Sequence, residues 1–328
     1  MSRYRKFRLP LTAATLSLPL LLGAEARAAE VRPQLRIEAA EHTREATQEM
    51  MLSAALAGKR VVAVGNRGVV LLSDDGGTTY RQARSVPVDS MLTSVAFVGP
   101  HVGWAVGHWG VVLKTEDGGD TWALQRSATS VDQPLFSVYF KSRQEGWAVG
   151  LWSLVLHTVD GGATWSTITL PPPPGARKAD RNLYQIFPGT SGDLFIACEQ
   201  GRVLRSTDGG DSWSYVDTGY TGSFWTGTVL EDGTVLVAGL RGSIYRSVDG
   251  GKTWSAGKNN SKSSITDVLQ LPDRTVVAVA LDGVSLVSRD GGASFTRTQR
   301  KDRVALTTAV ATAAATPLFF SAAGPTGR

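Results

Sequence analysis

Six aspartates that recur at nearly constant spacing are the residues best suited to chemistry: Asp75, Asp117, Asp160, Asp208, Asp249 and Asp290. Each has a Ser or Thr two positions before it and another four positions after it. A carboxylate beside hydroxyls could act in general acid–base catalysis, or it could hold a turn by accepting backbone hydrogen bonds. A glycine pair follows every one of these aspartates, and Asp-Gly-Gly supplies the positive φ angles of a short hairpin. We therefore interpret the six aspartates as structural and not as catalytic.

The elements around these aspartates repeat with them. The shared form is Ser/Thr-x-Asp-Gly-Gly-x-Ser/Thr-aromatic, and successive aspartates lie 42, 43, 48, 41 and 41 residues apart. In the second copy, apolar and β-branched runs at 92–98, 103–107 and 111–115 indicate three strands before the turn. Four short strands in each unit of about 42 residues are typical of a β-propeller blade. We predict an all-β propeller of four-stranded antiparallel sheets, with the aspartate hairpins, called Asp-boxes, between the third and fourth strands.

The number of blades depends on the C-terminal segment. Six blades carry a box, and 306–313 and 318–322 resemble the first two strands of a seventh blade, with 321–327 aligned to 62–68. Since the chain ends without another box, we expect the missing strand to come from around 33–40. Pairing of the N- and C-terminal segments would then close the ring. A six-bladed ring with a loose tail is the alternative.

The first 28 residues have the pattern of an export signal. Arg3, Arg5, Lys6 and Arg8 precede an apolar stretch, which ends at Ala26-Arg27-Ala28. We therefore expect residues 1–28 to be a signal peptide and residues 29–328 to be one propeller domain. Without the signal the chain has 29 basic and 28 acidic residues, so the high isoelectric point is weak evidence for nucleic-acid binding. We expect no nucleic-acid partner and a periplasmic location.

Other chemical signals are weak. The four histidines have no ligand spacing and the single cysteine, Cys198, falls in an apolar strand, so we expect no metal and no cofactor. A sialidase would need an arginine motif whose nearest match, Phe7-Arg8-Leu9-Pro10, lies in the signal peptide. We expect a non-enzyme. A glycosidase or sialidase-like hydrolase and a carbohydrate-binding propeller are the alternatives.

A partner is expected on the face opposite the boxes, where the loops between blades also lie. Aligning the turns between second and third strands gives a ring of Arg67, Trp109, Trp152, Gln200, Arg241, Asp282 and Thr326. His108 and Glu199 precede two of them. The interblade loops hold 12 basic residues, Arg303 among them, and five acidic ones. Trp and Arg dominate binding hot spots, so we predict that Arg67, His108, Trp109, Trp152, Gln200, Arg241 and Arg303 bind an acidic protein segment or contact anionic lipid headgroups. The alternative is that the ring side chains plug the central channel.

The runs Gly-Trp-Ala-Val-Gly at 103–107 and 146–150 precede boxes that end in Trp122 and Trp165. With the signal peptide and the single propeller, these motifs resemble the photosystem II stability and assembly factor family of Asp-box propellers. The resemblance implies an exported, non-catalytic factor that binds a membrane protein complex. It also implies the periplasm, or a thylakoid lumen if the host is photosynthetic. We also expect the chain to be a monomer.

Overall fold

The computed structural model describes residues 37–312 and 316–326, and these residues form seven antiparallel sheets around a central channel. The first six sheets have four strands each, and the seventh has three strands among the described residues. Within every sheet, strands follow one another in chain order. This is a seven-bladed β-propeller, as predicted, and the six-bladed alternative is wrong.

Strand bounds repeat from blade to blade, with the innermost strand first. Blade 1 has Met51–Ala57, Arg60–Gly65, Val70–Ser73 and Arg81–Gln82; blade 2 has Leu92–Val98, Val102–Gly107, Val112–Thr115 and Ala123–Arg126; blade 3 has Leu135–Phe140, Gly146–Gly150, Val155–Thr158 and Ser166–Thr167. Blade 4 has Leu183–Pro188, Leu194–Cys198, Arg202–Ser206 and Ser214–Asp217; blade 5 has Phe224–Val229, Val235–Gly239, Ile244–Ser247 and Ser255–Ala256. Blade 6 has Ile265–Gln270, Val276–Ala280, Val284–Ser288 and Thr296–Gln299, and blade 7 has Leu306–Val310, Leu318–Ser321 and Gly324–Pro325. The described helices are single 3₁₀ turns at Ala46–Gln48, Asn66–Gly68, His108–Gly110, Leu151–Ser153, Leu240–Gly242 and Leu281–Gly283.

Each Asp-box closes the hairpin between a third and a fourth strand, as predicted. In blade 2, Asp117 Oδ1 accepts hydrogen bonds from the Thr121 amide at 2.9 Å and from the Thr115 hydroxyl at 2.9 Å. Its Oδ2 accepts one from the Thr121 hydroxyl at 2.6 Å. The Trp122 indole packs beneath the turn and donates to the Gly119 carbonyl at 2.8 Å. The carboxylate therefore satisfies turn donors that would otherwise have no partner.

The Gly-Trp-Ala-Val-Gly runs follow from the packing between blades. A side chain at Gly103 would collide with the ring of Phe97 on the neighbouring strand. Trp104 is fully buried against blade 3, where it stacks on Phe140 at 3.5 Å and donates to the Gly161 carbonyl at 3.0 Å. Gly107 lies where any Cβ would be 2.1 Å from the Met91 carbonyl oxygen. The glycines thus make room for close strand contact, and the tryptophan joins one blade to the next.

Seven first strands begin alike and line the channel. Each starts with a fully buried apolar residue: Met51, Leu92, Leu135, Leu183, Phe224, Ile265 and Leu306. The next residue forms a β-bulge, and a polar residue follows it. We call these seven polar residues the belt: Ser53, Ser94, Ser137, Gln185, Thr226, Asp267 and Thr308. The Ser53 hydroxyl accepts the Val95 amide at 3.2 Å, and Ser94 accepts Val138 likewise at 3.3 Å. In blades 1 to 6 the belt side chains therefore fasten the first strand to the next blade.

Blade 7 packs against blade 1 and completes the ring. Phe320 and Leu318 are buried with Met51 and Leu71 in one apolar cluster. The Phe320 ring meets Tyr80 edge-on at 6.0 Å, and the Thr307 hydroxyl donates to the Met51 carbonyl. The C-terminal segment is therefore a true blade.

Two details of the seventh blade differ from the prediction. Ser321 pairs with Leu306 as Gly65 pairs with Met51, so the alignment of 321–327 with 62–68 is wrong by three residues. A two-residue turn at 322–323 links the strands, and Thr326 lies beyond the turn, where its amide donates to the Phe319 carbonyl at 3.0 Å. Apolar periodicity alone did not fix this register, because 318–323 is almost uniformly apolar.

Some predictions fall on other parts of the chain. The signal peptide at 1–28 and residues 33–36 of the expected closing strand lie outside the described residues. Residues 37–40 are described and form no strand; the Ala40 amide donates to the Val86 carbonyl at 3.0 Å. Pairing of the N- and C-terminal segments stays a prediction. Across 37–312 and 316–326, no helix is both long and apolar enough to cross a bilayer.

Candidate functional site

The turns between second and third strands form a recurring structure on one end of the propeller. In six blades the middle residue has left-handed backbone, with φ between 53° and 59°: Arg67, Trp109, Trp152, Gln200, Arg241 and Asp282. These are the residues that the sequence alignment had placed in a ring. Their positions are therefore equivalent, and we call them the rim residues. Non-glycine residues rarely adopt this conformation, and its recurrence in six blades marks a conserved turn geometry within this propeller.

Loops between blades pack against these turns and share their face. The Ala128 amide donates to the Trp109 carbonyl at 2.7 Å, and the Ser153 amide donates to the Arg181 carbonyl at 2.6 Å. A methyl group at Gly201 would be 1.6 Å from the Tyr220 carbonyl oxygen, so the loop presses directly on the turn. We call this surface of turns and interblade loops the loop face.

Exposure separates the rim residues into two kinds. Trp152 is 55% exposed, and Gln200 and Arg241 are also exposed. Trp109 is half-buried against the core of blades 1 and 2, and its amide donates to Asp132 Oδ1 at 2.8 Å. His108 Nδ1 lies 3.2 Å from Asp132 Oδ2. Trp109, together with His108, is therefore held by its own loop, whereas the other five rim residues are exposed.

The surroundings of Arg67 correct the predicted basic face. Arg67 lies at a cavity of about 160 Å³ whose walls include Glu38, Glu41, Glu49 and Asp89. Its guanidinium is 3.9 Å from Glu49 and 4.0 Å from Glu41. Glu38, Glu41 and Glu49 belong to the segment 37–49, which lies against blade 1. This segment is not an interblade loop, so its acids are not among the five acidic residues of those loops. The loop face is therefore acidic at blade 1, and Arg67 is not a free cation.

The positive charge gathers at blades 5 and 6. We call Arg241, Lys262, Arg300, Lys301 and Arg303 the basic patch; among the described residues its ion pairs are those of Arg300 with Asp302 and of Arg303 with Asp282. Arg303 is 3.8 Å from Asp282, and the Lys262 backbone lies against the turn of Arg241. No ion pair within the described residues includes Arg241 or Lys262. This part of the loop face attracts anionic groups.

Three basic residues counted for the loop face lie elsewhere. Arg81 is 2.7 Å from Asp120, and Arg84 is within 3.9 Å of Asp117 and Asp120, at the Asp-box end of blade 2. Lys258 pairs with Ser294 beside the box of blade 6. Their loops run along the neighbouring box before they cross to the loop face, which the sequence did not indicate.

The sequence interpretation missed the channel wall. The seven bulge residues line the channel near the loop face, and they are Leu52, Thr93, Phe136, Tyr184, Trp225, Thr266 and Thr307. With the belt they surround a cavity of about 370 Å³. No rim residue is among the residues that line this cavity. A signal was present: the strand starts at Met51, Leu92, Leu135 and onward recur every 41 to 48 residues, in step with the boxes.

Candidate metal and nucleophile sites are sparse. Within 37–312 and 316–326, no cluster of three or more His, Cys, Asp or Glu residues could hold a metal. Cys198 is fully buried at the position that glycine occupies in four other blades, and burial raises the pKa of its thiol to about 12. Cys198 is thus a core residue, as predicted, and a poor nucleophile at neutral pH.

Comparison with known proteins adds to this geometry. Residues 81–179 match the family described as photosynthesis system II assembly factor YCF48, and residues 245–256 match the BNR/Asp-box repeat. The chain resembles the photosystem II assembly factors. This confirms the resemblance read from the sequence, because the matched region contains both Gly-Trp-Ala-Val-Gly runs and the boxes of blades 2 and 3.

Solved structures share the fold. The structure described as YCF48 bound to D1 peptide has a TM-score of 0.69 and 18% identity, covering 88% of this chain and 98% of that one. YCF48 from Cyanidioschyzon merolae has a TM-score of 0.68 and 17% identity, with 88% and 96% covered. No curated protein matches the chain. At these identities the structures establish a common propeller architecture.

Proposed function

We propose that this chain is an exported, non-catalytic β-propeller that binds a segment of a membrane protein complex on its loop face and acts as an assembly factor. One observation carries the proposal. The region matched by the assembly-factor family forms blades 2 and 3, whose rim residues include the exposed Trp152. A large exposed aromatic side chain held on a rigid turn is a typical binding anchor.

The chemistry of the partner follows from the charges. The basic patch lies on the same face as Trp152, and its Arg241 and Lys262 form no ion pair within the described residues. A protein segment carrying carboxylates, and an aromatic or aliphatic side chain for Trp152, would complement this surface. The structure of a YCF48 with a D1 peptide shows that one propeller of this fold binds a protein segment. Of the predicted contact residues, we place Trp152, Gln200, Arg241 and Arg303 at the centre of the proposed binding surface. His108 and Trp109 support that surface, and Arg67 lies at its acidic edge.

A non-catalytic role is supported by the state of the box carboxylates. Hydrogen bonds from the Thr164 hydroxyl and amide hold the pKa of Asp160 at about 2, and those from Ser294 do the same for Asp290. Such carboxylates carry no proton to donate at neutral pH, and both of their oxygens already accept hydrogen bonds within the turn. Incubation with fluorogenic glycosides and sialosides tests this part, since robust turnover would overturn it.

Export and assembly state are part of the proposal. Residues 1–28 would direct the chain to the periplasm, or to a thylakoid lumen in a photosynthetic host, and the mature chain would be a monomer. Cell fractionation with and without residues 1–28 tests the first statement. Light scattering of the mature chain tests the second.

Binding is tested by crosslinking to membranes of the host, with recovery of crosslinked membrane protein as the readout. The variant Arg241→Glu, Lys262→Glu, Arg303→Glu reverses three charges on the loop face. The matched control Lys59→Glu, Arg143→Glu, Lys252→Glu makes the same charge change at exposed positions of the Asp-box end. We expect the first variant to lose at least about tenfold in recovery and the control to lose little. Equal recovery for both variants would refute the assignment of the loop face, and Trp152→Ala gives an independent check.

A further inference from the structure

Asp267 is the only ionisable residue of the belt, and the fold does not require an ionisable group at this position. Its Oδ2 accepts the Ala309 amide of blade 7 at 3.0 Å. Neutral belt residues make the same bond to the next blade elsewhere: Ser53 with Val95, and Ser137 with Ile186 at 3.2 Å. A serine therefore suffices to fasten neighbouring first strands, and the carboxylate needs another explanation.

The charge of Asp267 is not balanced by the channel wall. The carboxylate accepts four hydrogen bonds, from the hydroxyls of Thr226 and Thr308 and the amides of Val268 and Ala309. All four donors are neutral. Among the described residues that line the channel there is no lysine or arginine, and Asp267 is the only carboxylate. Burial raises the pKa of Asp267, which reflects the expense of keeping an uncompensated charge there.

Aromatic side chains line another part of the channel wall, at the end near the loop face, which we call the channel mouth. Phe136, Tyr184 and Trp225 occupy consecutive bulge positions in blades 3, 4 and 5, and we call them the aromatic crescent. The rings of Phe136 and Tyr184 are nearly parallel, with centroids 5.7 Å apart. The faces of aromatic rings attract cations, most strongly where water is excluded. Phe136 and Tyr184 stack on each other, whereas Trp225 has no ring partner among the described residues, so Trp225 is the ring of the crescent with a face to offer a cation. Carboxylate and aromatic groups facing one cavity form a site for a positively charged organic group.

We propose that the channel mouth on the loop face binds an organic ammonium group, which enters between the aromatic crescent and Asp267. The group is either a lysine side chain of a bound protein or a free alkylammonium compound. The cavity of about 370 Å³ has room for either one. The site does not depend on the proposed function, since it uses neither the rim residues nor the basic patch.

Calorimetric titration of the mature chain tests the site. The probes are tetramethylammonium and butylammonium, with neopentyl alcohol and butanol as neutral counterparts of similar shape. We expect the two cations to bind with a dissociation constant on the order of 1 mM, and the alcohols to bind at least tenfold more weakly. A blocked Gly-Gly-Lys-Gly-Gly peptide and its Nε-acetyl form distinguish the sources. A peptide that binds at least tenfold more tightly than butylammonium, and loses binding on acetylation, assigns the site to a protein side chain; equal affinities assign it to a free ammonium compound.

Two variants locate the binding. Asp267→Ser reproduces the belt residue of blades 1 to 3, so it should fold, and it should weaken both cations at least tenfold. Trp225→Leu should weaken tetramethylammonium about fivefold and leave neopentyl alcohol unchanged. Ser94→Ala, a neutral belt change that leaves both groups in place, should alter affinity less than twofold. Unchanged cation binding in folded Asp267→Ser, or tighter binding of sodium or calcium than of either ammonium probe, would overturn the proposal. Neither result would bear on crosslinking through the loop face.

Discussion

Replacing Phe320 by alanine tests whether the seventh blade closes the ring. The side chain is fully buried between blade 7 and blade 1, beside Met51 and Leu71. Truncating a buried phenylalanine removes its transfer free energy and leaves a cavity, which together cost about 3 to 5 kcal/mol. The edge-on contact with Tyr80 adds up to about 1 kcal/mol. We therefore expect Phe320→Ala to lower the free energy of unfolding by about 4 kcal/mol, close to a thousandfold in the equilibrium constant.

Urea unfolding followed by both tryptophan fluorescence and circular dichroism measures this change, and coincident transitions justify a single free energy. The companion variant Phe319→Ala alters the neighbouring, half-buried ring, which packs toward blade 6. Its cost should be about half as large, since less surface is buried. If Phe320→Ala lowered the free energy of unfolding by less than about 1 kcal/mol, blade 7 would not be packed on blade 1 in solution, and the closure described above would be wrong.

Three further predictions follow from the turns and the core. Because the pKa of Asp160 and Asp290 lies at about 2, below the ordinary 3.8, the stabilisation from the boxes is complete above about pH 4 and is lost as the pH falls toward 2. The melting temperature should drop across that window, and a constant value would contradict the role of the boxes. Gly201→Ala should lower the free energy of unfolding by about 2 kcal/mol more than Gly76→Ala does. Both glycines have left-handed backbone, but only the methyl group at position 201 would meet a carbonyl oxygen, at 1.6 Å. Equal chemical denaturation midpoints for the two variants would count against this prediction. Cys198 should react with a thiol reagent only after unfolding, and rapid labelling of the native chain would show that the strand is open.

Much of the architecture can be predicted from short, local stretches of the sequence. Each box combines a carboxylate, two hydroxyls, a glycine pair and an aromatic residue within eight positions, so its hairpin can be predicted without knowledge of the rest of the chain. The constant spacing then implies equal blades. All six rim positions and the boxes come from this local information, which is why Trp109, Trp152 and Arg241 were found at equivalent turns.

The tertiary structure determined which residues from distant parts of the chain lie close together. The acids around Arg67 come from a segment more than 15 residues away in sequence, and Asp89 comes from the following loop, so no local pattern could show that this arginine is neutralised. The register of blade 7 depended on its pairing with Leu306, because an almost uniformly apolar run fits several alignments. The channel wall is built from seven strands that are about 40 residues apart in sequence. A ring brings such strands together only when it closes, and closure is a property of the whole chain.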